Sequence, residues 1–323
     1  MRKHVAFLGL VLAFAVLATY LPAAPAAAQA PSGPKPVLKV WYKKEFTRDV
    51  DRIVEKWAAD FEKANNVTVD LTFITMADAP TKYVAAIESG TTPDVAMVPF
   101  WGPPRYYAMN ALEDVSDLFV KIGDANGGWL EPAKVATKFD GKYWGVPENM
   151  TTEPLYMRTD IMKQLGYTDR PKTYAELAEF ARKASVLGAG KLYGWGVTVN
   201  RSDDGHLGSQ MMLWNFGSRT TAEDGKTITF NSPETVAGCK YAVEVYKYAP
   251  PGALGWTDPS NNQAWAADQI AMTKNGPSIW WETKQPGYLP QVAKNTHMYD
   301  WPTGPKGDSA TLAEVFSWVI FKN

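Results

Sequence analysis

Between Val37 and Val98 the chain changes its hydrophobic period four times, and the order of those changes leaves few architectures open. Val37 to Trp41 is a short apolar run suited to a buried strand. From Asp49 to Ala64 the apolar residues Val50, Ile53, Val54, Trp57, Ala58 and Phe61 recur at helical spacing, which predicts one buried face. Val67, Val69, Leu71 and Phe73 then alternate with polar residues, the spacing of a strand. A short helix over Thr81 to Ser89 stops at Gly90, and Asp94 to Val98 reads as another strand. Strand, helix, strand, helix, strand predicts an α/β fold whose parallel sheet is joined by right-handed crossovers.

A turn at Asp140-Gly141 and an extended segment through Pro147 break this texture, and a second α/β unit follows. Thr173 and Glu176 form a capping box for a helix buried through Leu177, Phe180, Ala181 and Ala184 and stopped at Gly188. Ser232-Pro233 opens another helix, with Val236, Cys239, Val243 and Tyr246 along one side. That spacing makes Cys239 a core residue with no redox role. A chain of 323 residues is long enough for two domains.

Residues 1–30 combine Arg2 and Lys3, an apolar run from Val5 to Leu21 and an ending at Ala28-Gln29-Ala30, the pattern of a cleaved export signal. An uncleaved anchor is the alternative, since the run approaches the length of a span. Residues 31–36 read as a short leader. No Cys lies near the cleavage site, so a lipid anchor is not expected and the predicted location is the periplasm. The single Cys excludes an intrachain disulfide, so stability rests on core burial. The 33 basic residues nearly balance the 34 acidic ones, which argues against a nucleic-acid partner.

The sequence has no phosphate-cradling Gly-rich loop ending in Lys-Ser/Thr, no His-Glu-x-x-His, no Cys-x-x-Cys and no Gly-x-Ser-x-Gly. Only His206 and His297 follow the leader. No catalytic residue, metal site or cofactor is therefore predicted. What recurs instead is aromatic rings beside carboxylates and amides where strands give way to loops. Sugar rings present apolar C–H faces that stack on such rings, while their hydroxyls need paired donors and acceptors. The candidates are Trp41, Tyr42 and Glu45 after the first strand, Phe100 and Trp101 after the third, and Glu148 and Asn149 after Pro147. Trp280, Trp281 and Glu282 follow Gly276-Pro277, where a strand must end because Pro has no ladder donor. Trp214, Trp256, Asp258 and Trp318 complete the set. If Trp280 and Trp281 continue a strand, only one can face a ligand and the other packs. Core packing is the competing role for each ring. Glu148 and Glu282 also fit the paired carboxylates of a glycoside hydrolase.

The stretch Asn262 to Met272, followed by Gly276-Pro277-Ser278-Ile279-Trp280, resembles the signature of the solute-binding proteins of ABC importers, the maltodextrin-binding type. Asp268 stands where that family usually has Gly, and Ser278 where it has Trp. Further landmarks resemble the family in the same order: Ser89 to Val95, Asp140 to Pro147, Pro171 to Leu177 and Pro302 to Gly307. Met157-Arg158 departs from the family's Tyr-Asn. The resemblance implies a two-lobe periplasmic-binding-protein fold of type II, with a hinge and an interlobe ligand cleft. The expected lobes are 37–147 with 302–323, and 155–296, with crossings at 148–154 and 297–301. It also implies a monomer that carries a di- or oligosaccharide to an ABC permease and does no chemistry. The rival ligands are a glycerol phosphodiester, which would need Arg105 or Arg158, and a quaternary amine, boxed by Trp41, Trp101, Trp280 and Glu282. Family members continue beyond the position of Asn323 with further helices, so the chain is expected to be a fragment or a shortened variant, with apolar surface exposed on the second lobe.

Overall fold

The alternating periods organise two main sheets, one in each unit, and a two-stranded hairpin. The computed structural model describes residues 34–45, 48–307 and 309–322. The expected export signal and Asn323 lie outside the described residues. The chain divides into two compact units, one running to Met150 and resuming at Glu314, the other Thr151–Ala313.

In the first unit the strands are β1 (Val37–Lys43), β2 (Thr68–Ile74), β3 (Val95–Val98), the short pair β4 (Lys138–Phe139) and β5 (Lys142–Tyr143), and β6 (Val146–Thr152). β1 pairs in parallel with β2, from Val37 opposite Thr68 to Lys43 opposite Ile74, and in parallel with β3. These are the predicted crossovers. Gly90 closes the Ala79–Ser89 helix in the left-handed region, φ +67°, where a side chain would be strained. Asp140 and Gly141, both at positive φ, make the two-residue turn between β4 and β5.

Two expectations for this unit need correction. Val50 and Ile53 of the Arg48–Asn65 helix are exposed and Trp57 is only half-buried; the helix meets the sheet through Val54 and Trp57. Its deepest residue is Asp51, held by Lys44 and by Arg48 at 3.7 Å. The sheet is also mixed. The strand Ala313–Ile320, which is β10, runs antiparallel to β3 and completes the order β2-β1-β3-β10-β6. A strand buried on both faces is apolar in either direction, so its own pattern does not encode its polarity.

In the second unit β7 (Leu155–Arg158) is flanked by β8 (Met272–Lys274) and β9 (Thr296–Tyr299), both antiparallel to it. Leu177, Phe180, Ala181 and Ala184 of the Tyr174–Gly188 helix are fully buried, and Thr173 accepts the Glu176 backbone N–H at 3.2 Å. The Pro233–Tyr246 helix turns a different face inward from the predicted one. Thr235, Gly238 and Val245 are buried, whereas Val236, Cys239 and Val243 are exposed. Gly238 sets this face: a Cβ there would lie 2.7 Å from Leu213 Cδ2, so the Asp203–Asn215 helix packs against the glycine and Cys239 is rotated outward. Residues 302–313 fall in the second unit, and 297–301 includes part of β9, hydrogen-bonded to β7. The chain changes unit after Met150, inside β6, and again after Ala313, inside β10.

Candidate functional site

Successive strand residues point to opposite faces, and this splits the first pair of candidates. Trp41 turns to one face and tilts against Tyr83 at 5.2 Å, among the core residues around it. Tyr42 turns to the other, packed between Trp318 at 5.5 Å and Phe73 at 6.3 Å. The Tyr42 hydroxyl donates to Glu148 Oε1 at 2.6 Å, while Oε2 is buried with no hydrogen-bond partner. Burial pushes the Glu148 carboxyl up to about 7, with the Glu45 charge adding to it and the Tyr42 bond opposing it. Glu45 is also held above the usual carboxylate range by burial, against the pull of Lys43 Nζ at 3.1 Å. Lys43 in turn lies over the Phe316 ring at 4.3 Å. Tyr42, Glu45, Glu148 and Trp318 thus form one neighbourhood. Trp101 precedes the Gly102–Ala108 helix, edge-on to Tyr106, with the Arg105 guanidinium 5.9 Å over its ring. Phe100 is half-buried and Asn149 is exposed.

In the second unit β8 ends at Lys274, and Pro277, with φ −72°, turns the chain directly into the helix Ser278–Glu282. The expectation that Trp280 and Trp281 continue a strand is therefore corrected. Neighbours on a helix stand about 100° apart, and neither ring is packed away: Trp280 is 37% and Trp281 51% exposed. The Lys284 ammonium sits 3.7 Å over the Trp280 ring. Glu282 accepts from Asn262 Nδ2 at 2.9 Å, and the same amide reaches Ser278 Oγ at 3.0 Å. Ser278 donates to Asn275 Oδ1 at 3.1 Å, and Asn275 donates back to Asn262. The serine that replaces the expected Trp is thus part of a closed amide network.

Beside this network lies a cluster that the sequence reading missed. Lys274, fully buried, donates to Glu153 Oε2 at 2.7 Å and to Asp204 Oδ1 at 2.8 Å. Burial alone would lower the Lys274 pKa, but Asp204 and Glu153 more than offset it and hold the ammonium above its usual range. Burial raises both carboxyls, with Lys274 opposing. A lysine ending the buried strand that follows the apolar run Ile270 to Met272 was the available signal, because a charge there needs a partner. Asp258 accepts the Asp204 backbone N–H at 3.1 Å, and burial together with Asp258 and Asp204 pushes Asp203 up to about 6. Trp256 packs against the core around Trp265. Trp214 stands at the opposite end of the Asp203–Asn215 helix from this cluster.

Arg158, one of the two arginines considered for an anion, is 2% exposed and consumed by Asp160, at 2.9 and 2.6 Å, and by Asp268. Asp268 has φ +59°, a conformation that glycine adopts without strain. Its carboxylate anchors the guanidinium, which glycine could not do. Among the described residues, no group of three or more His, Cys, Asp or Glu side chains is placed to hold a metal ion.

Solved structures share this fold. A tagatose-bound solute-binding protein from Thermotoga lettingae aligns with TM-score 0.77 at 20% identity, covering 89% of this chain and 73% of its own. Maltose-bound MalE3 from T. maritima gives TM-score 0.75 at 22% identity, covering 88% and 72%. These likenesses establish the two-lobe periplasmic-binding-protein fold. The chain is also 25% identical over 214 residues to the sn-glycerol-3-phosphate-binding periplasmic protein UgpB of Escherichia coli, covering 61% of this chain and 46% of the relative. A probable ABC transporter-binding protein from Deinococcus radiodurans is 27% identical over 189 residues, 57% of this chain and 44% of the relative. The chain thus spans just under half the length of these two relatives. Residues 47–323 match the family model of the bacterial extracellular solute-binding proteins, and the chain belongs to that family.

Proposed function

We propose that this protein is exported through the signal read in residues 1–30 and acts in the periplasm as a monomeric carrier. It captures a di- or oligosaccharide, or a sugar derivative, and the chain crossings after Met150 and after Ala313 serve as the hinge of ligand closure. It then delivers its cargo to the permease of an ABC importer and leaves it chemically unchanged. The observation that carries the ligand class is the pair of exposed indoles, Trp280 and Trp281, beside the Glu282–Asn262–Ser278 network. Stacking faces next to fixed amide and carboxylate groups match a sugar ring and its hydroxyls. In the first unit Glu148 and Glu45 supply acceptors beside Tyr42 and Trp318.

The rival ligands fit less well. A glycerol phosphodiester needs a free cation, and of the two arginines considered Arg158 is already neutralised by two carboxylates, which leaves only Arg105, over the Trp101 ring. A quaternary amine would meet like charge at these rings, since the Arg105 guanidinium lies over Trp101 and the Lys284 ammonium over Trp280, a repulsion that a neutral sugar does not feel. A thermal-shift screen against sugars, polyols, glycerol phosphodiesters and quaternary amines tests the reading. A sugar at a hundred times its Kd should stabilise by about 2.7 kcal/mol, with no product formed. Trp281→Ala should weaken that binding by ~1–3 kcal/mol. Stabilisation by the phosphodiesters or amines alone would replace the proposed ligand class.

A further inference from the structure

The Asp203–Asn215 helix ends beside a pocket of about 450 Å³, lined by Gln210, Trp214, Arg219, Thr220, Thr221 and Ala310. All six residues belong to the second unit. The volume falls within the roughly 300–1,000 Å³ of small-ligand sites. Gln210 and Trp214 are four residues apart on the helix, so the amide and the indole share one face. Beyond the helix Gly217, at φ +89°, reverses the chain. Arg219 Nη1 is then pinned by the carbonyls of Trp214 and Ser218 at 3.1 and 2.8 Å. The opposite wall is fixed by Asn215, whose side chain donates to the Ala310 carbonyl at 3.0 Å and accepts its N–H at 2.6 Å.

The lining therefore offers one indole face, one amide, two hydroxyls and an anchored guanidinium, with no carboxylate. A sugar ring suits this set, its C–H face on the indole and its hydroxyls on the amide and threonine hydroxyls, which donate and accept, and on the guanidinium, which donates. Asp204, in the Lys274 cluster, is ten residues up the helix from Trp214, which sets the two about 15 Å apart along the axis. The geometry points to a second carbohydrate site on this unit, separate from the Trp280–Trp281 cluster. The ligand class rests on the transport reading above; the pocket does not.

Isothermal titration of the protein with maltose, cellobiose and N-acetylglucosamine, and separately with inorganic phosphate, tests this assignment. Two binding events are expected with at least one sugar. Trp214→Ala should weaken one of them by about tenfold or more, the equivalent of ~1.4 kcal/mol, and leave the other intact. Trp281→Ala should do the converse. The paired substitution Gln210→Ala with Thr221→Val removes polar groups without touching the ring, so it reports on the pocket even if Trp214→Ala lowers the melting temperature. A single binding event that ignores all the pocket substitutions overturns the second site and leaves the carrier reading standing. Sugar binding that depends on Trp214 and ignores Trp281 supports this site and overturns the assignment of the indole pair. Phosphate binding that requires Arg219, without any sugar binding, would make the pocket an anion site and overturn the carbohydrate assignment, as would the absence of binding by every probe.

Discussion

Glu148 in the first unit and Glu153 in the second are both taken out of water, and they are settled by opposite means. In the second unit Glu153 and Asp204 share the ammonium of Lys274, and Asp160 and Asp268 share the guanidinium of Arg158. Removing ions from water is costly, and short, direct cation contacts offset that cost. In the first unit Glu148 receives one hydroxyl, from Tyr42, and its second oxygen has no partner. It answers burial by holding its proton up to a pH of about 7. Asp51 shows that the first unit can pair a buried carboxylate, since Lys44 and Arg48 reach it directly. The ion clusters of the second unit are therefore structural fixtures, whereas Glu148 can exchange a proton near neutrality beside candidate ligand residues.

The sharpest way to break this contrast is Lys274→Met. It would leave Glu153 and Asp204 buried without their cation and should destabilise the protein by ~3–5 kcal/mol, read from urea unfolding at pH 7.5. A loss below about 1 kcal/mol would mean that the cluster behaves like an exposed pair. Asp268 tests the Arg158 cluster at an intermediate scale. Asp268→Ala should cost about 2 kcal/mol through the lost charged hydrogen bond. Asp268→Gly should be milder by ~1 kcal/mol, because it also relieves the left-handed backbone at φ +59°. Equal stability of the two variants would remove backbone strain from the explanation.

Glu148→Gln should move the other way and least. The folded-state pKa of Glu148 lies above its ordinary 4.5, so between roughly 4.5 and 7 the native protein keeps a proton that the unfolded chain has released. Its contribution to stability is present in full below that window and falls as pH climbs through it. Replacing the carboxyl with a neutral amide should flatten this part of the stability profile. At pH 8 it should raise stability by ~1 kcal/mol, since a partly satisfied buried charge is removed. A variant that is less stable than wild type at pH 8 would show that the ionised carboxylate is better accommodated than its contacts indicate.

Much of the architecture was legible because it follows from local physics. The Gly90 cap, the Asp140-Gly141 turn and the Thr173 capping box each depend on neighbours within a few residues, and the parallel β1–β2–β3 crossovers follow from the order of locally encoded strands and helices. The inward face of the Pro233–Tyr246 helix was misread because apolar spacing pointed to Val236, Cys239 and Val243, while the close approach of Leu213 to Gly238 decided the rotation. At the candidate site the sequence located the residue clusters but not their roles. Tyr42 and Trp41 were read as a pair and fall on opposite faces of β1. Trp280 and Trp281 were read as strand neighbours and stand on a helix, both exposed. Arg158 was offered as an anion ligand and is buried in its own ion pairs.

By itself the sequence determined the two α/β units and the places where aromatic rings meet amides and carboxylates, because periodicity, capping and turn chemistry are properties of adjacent residues. Tertiary structure alone decided the antiparallel direction of β10, the partners of Lys274 and the isolation of Glu148. Each of these depends on groups 70 or more residues apart in sequence. Which charge meets a counter-charge, and which must keep its proton, is set by that distant packing.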